Sequence, residues 1–202
     1  QKVAYDELNN RRGAVVAVDI NDGSIVTYVS SPSFSVNKIA NGLTQNEFDE
    51  LINDDDKPFF DRAAQGRYSP ASTIKPAIGL FGIDKDILDW EYTIQDPGFF
   101  ILPEDGRIYR GWKKGGHGEI NLKDAIIESS NTFFFSLAYQ TEIEELRAHL
   151  SNFGFGKNVC DDCFMPDNGL LPSPRWKMNT HNFGWFKGDT VNVGVGQGYI
   201  NA

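Results

Sequence analysis

Cysteine, histidine and positive charge are all scarce in this sequence, and long apolar runs are missing. Two cysteines, Cys160 and Cys163, stand in "NVCDDCF", and three histidines are scattered at 117, 149 and 181. A tetrahedral zinc needs four ligands, and the chain offers no second cysteine pair to complete the set. A thioredoxin-like pair would open a helix after a strand, whereas this one sits in a Gly/Asn/Pro-rich stretch. A small disulfide loop, half a zinc site and two free thiols are the readings to weigh, and a local loop feature is the expectation. The formal charge of −9 argues against a nucleic-acid or anionic-membrane partner, which would want a basic face. No apolar run approaches a membrane span, and "QKVAYDELNN" is not a signal peptide. The segment is expected to be soluble as written, and it is compatible with a piece cut from something anchored. Internal repeats are absent.

What is present suits a packed domain. The 202 residues are enough for one sizeable unit, with 40% hydrophobic and 13% aromatic residues, 15 of them Phe. The runs "AVVAVD" (14–19) and "IVTYVS" (25–30) flank "INDG", and Asp22-Gly23 predicts a hairpin turn. "TQNEFDELI" (44–52) reads as a short amphipathic helix opened by Thr44, and "NDDDKP" breaks it with an acidic solvated loop. A buried helix is expected from Ser72, then aromatic extended pieces in 90–103 and 106–120. Helical patterns resume over 121–131, 132–140 and 141–154, the last stopping at Gly154. Residues 155–190 read as loop-rich, before "GDTVNVGVGQGYINA". A hairpin followed mostly by helices is an α+β pattern, in which helices cover a sheet.

The stretch "SPASTIKP" carries the first candidate chemistry. Ser72 and Lys75 are three apart, so on a helix they share a face and the amine can reach the hydroxyl. A serine hydroxyl becomes a useful nucleophile when a neighbour takes its proton, and a desolvated lysine can do so. Pro76 fits a helix that begins near Ser72, and a helix start favours developing negative charge. The spacing alone is cheap, since roughly one such pair is expected by chance in a chain this long. "SVNK" repeats it with Ser35 and Lys38, in a polar stretch of loop formers, while "STIKPAIGLFGI" runs on into an apolar segment. Context therefore selects Ser72. In "ESSNTFFF", Ser129 and Asn131 flank Ser130 between two helical runs. The hydroxyl could relay a proton to a leaving amine and the amide could hold a lysine or a carbonyl; a helix cap is the plainer reading.

Together, S-x-x-K at Ser72–Lys75 and S-x-N at Ser129–Asn131 have the order used by penicillin-recognising serine enzymes. The flanking segments "RGAVVAVDINDGSIVTYVSSPSF", "DRAAQGRYSPASTIKP", "DPGFF", "YRGWKKGGHGEINLKDAIIESSNTFFF" and "GDTVNVGVGQGY" resemble the transpeptidase domain of class B penicillin-binding proteins. The likeness runs from about Arg12 to the end, and is strongest to the elongation-specific penicillin-binding protein 2 group. It implies the penicillin-binding protein/serine β-lactamase-like fold, an antiparallel sheet covered by helices, with 1–202 forming a partial domain. It implies a peptidoglycan D,D-transpeptidase in which Ser72 is acylated and Lys75 is its base. Ser129 would help proton transfer to the departing D-alanine, Asn131 would line the same wall, and the Ser72 N–H would be one oxyanion donor. The implied ligands are stem peptides ending in D-Ala-D-Ala and β-lactams, and the implied partners are elongation-complex membrane proteins, with no nucleic acid. The implied location is the periplasmic side of an inner membrane, reached through an anchor outside this sequence.

Two departures from the resemblance matter. The Lys-Thr/Ser-Gly motif occurs nowhere in the chain; in the family its strand follows the "GQGY" region, so the expectation is about two-thirds of a catalytic domain. Some relatives hold a structural zinc whose ligand positions match Asp96, Gly111, His117 and Ser130. Two of those four residues could ligate, so no metal and no cofactor are expected, and His117 is expected to be a hydrogen-bonded structural residue. The competing readings are a serine β-lactamase or β-lactam sensor, for which no deacylating base motif is visible, and a non-catalytic fragment or scaffold.

Overall fold

In the computed structural model, which describes residues 1–160, 163 and 165–202, the turn and cap signals of the sequence set most element boundaries. The chain forms two compact units, Gln1–Gly66 with Cys160–Asp167, and Arg67–Val159 with Asn168–Ala202.

The first unit opens with helix α1, Lys2–Leu8, closed by Asn9 in the left-handed conformation. It lacks a side-chain cap at its start, so no capping signal marks it in the sequence. Strands β1 (Gly13–Val18) and β2 (Ile25–Ser31) pair antiparallel, with Val16 opposite Tyr28. Their turn is the expected one: Gly23 has φ 77°, and the Ser24 N–H donates to the Asp22 carboxylate at 2.8 Å. The stretch around Ser35 is not a loop but a short helix, α2, Val36–Ala40. Ser35 starts it by accepting the Lys38 N–H at 3.3 Å, so this serine acts as a cap. Helix α3, Gln45–Asn53, opens on Thr44 as expected, with a reciprocal bond between Thr44 and Glu47. The acidic run that follows is tied from inside, because the buried Arg62 guanidinium donates to the carbonyls of Asp56, Lys57 and Phe60. Cys160 and Cys163 form a disulfide, the small-loop reading of that pair; the rest of "CDDCF" lies outside the described residues.

The second unit is built around one helix. A 3₁₀ turn, Ala71–Ile74, leads into α4, Lys75–Asp84. The regular helix thus begins at Lys75 rather than Ser72, because Ala71 is left-handed at φ 47°, and Pro76 sits harmlessly in the first turn. Strand β3 (Thr93–Asp96) pairs with β6 (Gly118–Asn121), and β4 (Phe99–Ile101) with β5 (Ile108–Arg110). Helices α5 (Leu122–Ile127), α6 (Asn131–Tyr139) and α7 (Ile143–Ser151) follow, then α8 (Pro174–His181) and α9 (Lys187–Val193). The core surrounds α6, whose Phe133, Phe134, Phe135, Leu137 and Ala138 are all buried, with Ile78 and Phe81 of α4 and Val191 and Val193 of α9. Helix α7 stops three residues before Gly154, which closes the following turn at φ 89°. Every ladder among the described residues is antiparallel and two-stranded, and no described helix is long and apolar enough to cross a membrane. This is the α+β pattern of short antiparallel strands and covering helices.

Candidate active site

Lys75 is the unusual residue of the second unit. It has the first position of α4 and is 1% exposed, although a lysine is seldom buried without partners. Its Nζ donates to Ser129 O at 2.8 Å, Ser129 Oγ at 3.1 Å and Asn131 Oδ1 at 2.7 Å. Those partners lie 54 and 56 residues further along. An ammonium group has three N–H donors, and all three are used. The Phe134 ring lies 5.4 Å away and contributes its π face. Burial still wins over these contacts, and the amine is pushed down to about 8.

The wall that receives the lysine is the junction between α5 and α6. Ser129 is forced to φ 52° there, a left-handed conformation uncommon for serine. The turn is fixed by Ser130, whose N–H donates to Ala125 O at 2.9 Å and whose Oγ accepts the Phe133 N–H at 3.2 Å. Ser130 is thus the helix cap of the plainer reading, and its two neighbours in "SSN" face the lysine.

Ser72 stands in the 3₁₀ turn, exposed, with its carbonyl accepting the Lys75 N–H. Its hydroxyl is not among the Lys75 partners; the amine faces Ser129 and Asn131 instead. The turn is held from below by a segment the motifs did not single out. The Gly196 carbonyl accepts from the Ala71 N–H at 2.9 Å and from the Ser69 hydroxyl. Gly196 has φ 68°, and a Cβ there would lie 2.2 Å from Ala71 O. Only glycine lets the backbones approach so closely, and a glycine in "GVGQGY" was the available signal. Of the predicted residues, Lys75, Ser129 and Asn131 converge, and Ser72 lies one turn before the lysine.

The four positions matched to a zinc site fall beside this wall. Asp96 Oδ2 accepts from His117 Nδ1 at 2.6 Å and from Ser130 Oγ at 2.8 Å, and Oδ1 accepts the Gly98 N–H at 2.7 Å. Burial pushes the Asp96 carboxyl up, but the hydrogen bonds from His117, Gly98 and Ser130 outweigh it and hold the group below the usual carboxylate value. The structural role expected of His117 is this bond. The "DPG" and "GGHG" turns interlock there, since a Cβ on Gly116 would sit 1.9 Å from Asp96 O.

Comparison with known proteins agrees with this geometry. The pattern of the penicillin binding protein transpeptidase domain matches residues 13–202. The peptidoglycan D,D-transpeptidase MrdA of Acinetobacter baumannii is 43% identical over the whole chain, and that of Escherichia coli K12 is 36% identical over 96% of it. The chain spans 30% and 31% of those proteins, respectively. Among solved structures, Pseudomonas aeruginosa PBP2 in complex with WCK 5153 superposes with a TM-score of 0.95 at 38% identity, covering all of this chain and 44% of that one. The Helicobacter pylori complex of PBP2 with MreC gives 0.93 at 31% identity, covering all of this chain and 38% of that one. A match over nearly the entire length, joined to the two motifs meeting at one buried lysine, decides the matter: the chain belongs to the penicillin-binding protein transpeptidase domain family.

Proposed function

We propose that this chain carries the acylating serine of a peptidoglycan D,D-transpeptidase. The observation that carries the reading is the buried Lys75 amine, held by Ser129 and Asn131 one turn after an exposed Ser72. In the proposed reaction the neutral Lys75 amine takes the Ser72 hydroxyl proton as Oγ attacks the penultimate D-alanine carbonyl of a stem peptide ending in D-Ala-D-Ala. The peptide C–N bond breaks, the Ser129 hydroxyl passes a proton to the departing D-alanine nitrogen and regains one from the Lys75 ammonium, and an acyl-serine ester remains. An amine from a second stem peptide then attacks that ester, forming the cross-link and releasing Ser72. A β-lactam would follow the first half, with its ring C–N bond opening on Ser72. The Ser72 N–H is the proposed oxyanion donor, a contribution on the order of a few kcal/mol.

The similarity to peptidoglycan D,D-transpeptidases supports the substrate class. The complex of Helicobacter pylori PBP2 with MreC supports elongation-complex proteins as partners, and with them a place on the periplasmic side of the inner membrane. The test is mass spectrometry of the full-length protein after exposure to a penicillin. One adduct on the peptide holding Ser72 is expected, absent from Ser72→Ala. Lys75→Ala should fold and acylate roughly 10²–10⁴-fold more slowly, the usual contribution of a positioned base. An adduct that survives Ser72→Ala, or maps to Ser35, would overturn the assignment.

A further inference from the structure

A carboxylate buried one residue from the lysine pocket needs a reason to be there. The Asp96 side chain is 1% exposed and that of His117 7%, and burying a charge is costly unless it is fully partnered. Its bond to Ser130 points to one task. Ser130 Oγ donates to Asp96 and accepts the Phe133 N–H, so the carboxylate orients the hydroxyl that caps α6. The cap fixes the α5–α6 junction, where Ser129 is held left-handed at φ 52°. Such strain persists only where the surroundings over-determine it. Were the junction to relax, Ser129 O and Oγ and Asn131 Oδ1 would turn away from Lys75 together.

The residues at the four positions matched to some relatives' zinc site do not fit that metal. Gly111 has no side chain, and a Cβ there would lie 3.3 Å from both Gly98 O and Thr132 Oγ1. The Ser130 hydroxyl is already committed to Asp96. Among the described residues no three His, Cys, Asp or Glu side chains gather to hold a metal. We propose that Asp96, steadied by His117, is a positioning residue for the reaction: a metal-free hydrogen-bonded brace that, through Ser130, holds Ser129 and Asn131 against Lys75. The inference rests on the transpeptidase reading for its kinetic consequence, but not for its structural one.

Two measurements on the full-length protein separate these. The first follows acylation by a fluorescent penicillin against concentration, resolving a saturation constant and a first-order step. Asp96→Asn and Ser130→Ala should slow the first-order step roughly tenfold to a hundredfold, the range set by losing a hydrogen bond to a charged group. The saturation constant should change little, and Ser130→Thr, which keeps the hydroxyl, should restore the rate. The second reads Lys75 with an amine-reactive reagent by mass spectrometry and needs no activity. Lys75 should be protected in the unaltered protein and in Ser130→Thr, and modified in Asp96→Asn and Ser130→Ala. If the unaltered protein forms no adduct at Ser72, the transpeptidase reading fails while the second measurement still decides the brace. A folded Ser130→Ala that acylates normally and protects Lys75 overturns the proposal, even if Asp96→Asn does not fold. One tightly held equivalent of zinc, whose removal slows acylation, overturns it as well.

Discussion

As the base proposed for Ser72, Lys75 would tie acylation to pH through its own titration. Below about 8 the amine is an ammonium whose three N–H groups are all given to Ser129 and Asn131, leaving no lone pair to accept a proton. Above it the neutral amine has one. First-order acylation of Ser72 should therefore rise with pH through about 8 and then level. A profile flat from about pH 6 to about pH 10 would show that Lys75 is not the base. Stability has its own sign. The folded pKa lies below the unfolded one, so the burial penalty is fully present below about 8, and it fades as pH rises from there towards 10.5. This residue was half legible in the sequence. Spacing alone could not separate Ser72–Lys75 from Ser35–Lys38, because both are serine and lysine three apart. The apolar run behind Lys75 did separate them, since a lysine is desolvated only by a core. The identity of its partners was not in the spacing, because they are brought to it across more than 50 residues.

At the scale of elements, what could be read depended on whether an element announces its own ends. Helix α3 and the β1–β2 turn do so, through Thr44–Glu47 and Asp22-Gly23. Helix α8 does too: Ser173 accepts the Trp176 N–H at 2.9 Å, Pro174 is in its first turn, and Asn182 closes it left-handed. The loop-rich composition of 155–190 hid those signals. The residues that precede helix α1 and helix α9 make no side-chain cap bond, and so left little to find. Helix α6 was visible as an apolar run, and its position at the centre of the core makes it sensitive. Phe134 is fully buried, so Phe134→Ala should cost about 3–5 kcal/mol in denaturant unfolding, as large-to-small core changes do. A loss below about 1 kcal/mol would mean that the packing around α6 collapses onto the space. Gly196→Ala tests an element junction instead. The added carbon meets Ala71 O, and the backbone must move where Ser72 is presented, so acylation should fall even if the second unit stays folded.

The two units should differ in how firmly they hold their backbone. The second has its core wrapped around α6, with side chains from α4, α7 and α9 fully buried. In the first, the buried apolar side chain of the hairpin is Val29, while Val15, Val16, Val18, Ile25 and Val26 stand exposed and Ile20 is 97% exposed. A two-stranded hairpin is marginal without a third strand or a well-packed face, and among the described residues no third strand pairs with β1–β2. Edges without a partner strand and a valine-rich face are features that associate when uncovered. For a polypeptide of these 202 residues alone, hydrogen exchange should therefore find peptides of 13–31 open and those of 131–139 protected, with rates differing roughly a thousandfold or more. A hydrophobic dye should bind the same preparation, and a variant carrying Val16→Lys and Val26→Lys should aggregate less. Equal protection in the two segments would sink the idea, because it would mean that the hairpin shares the stability of the helical core.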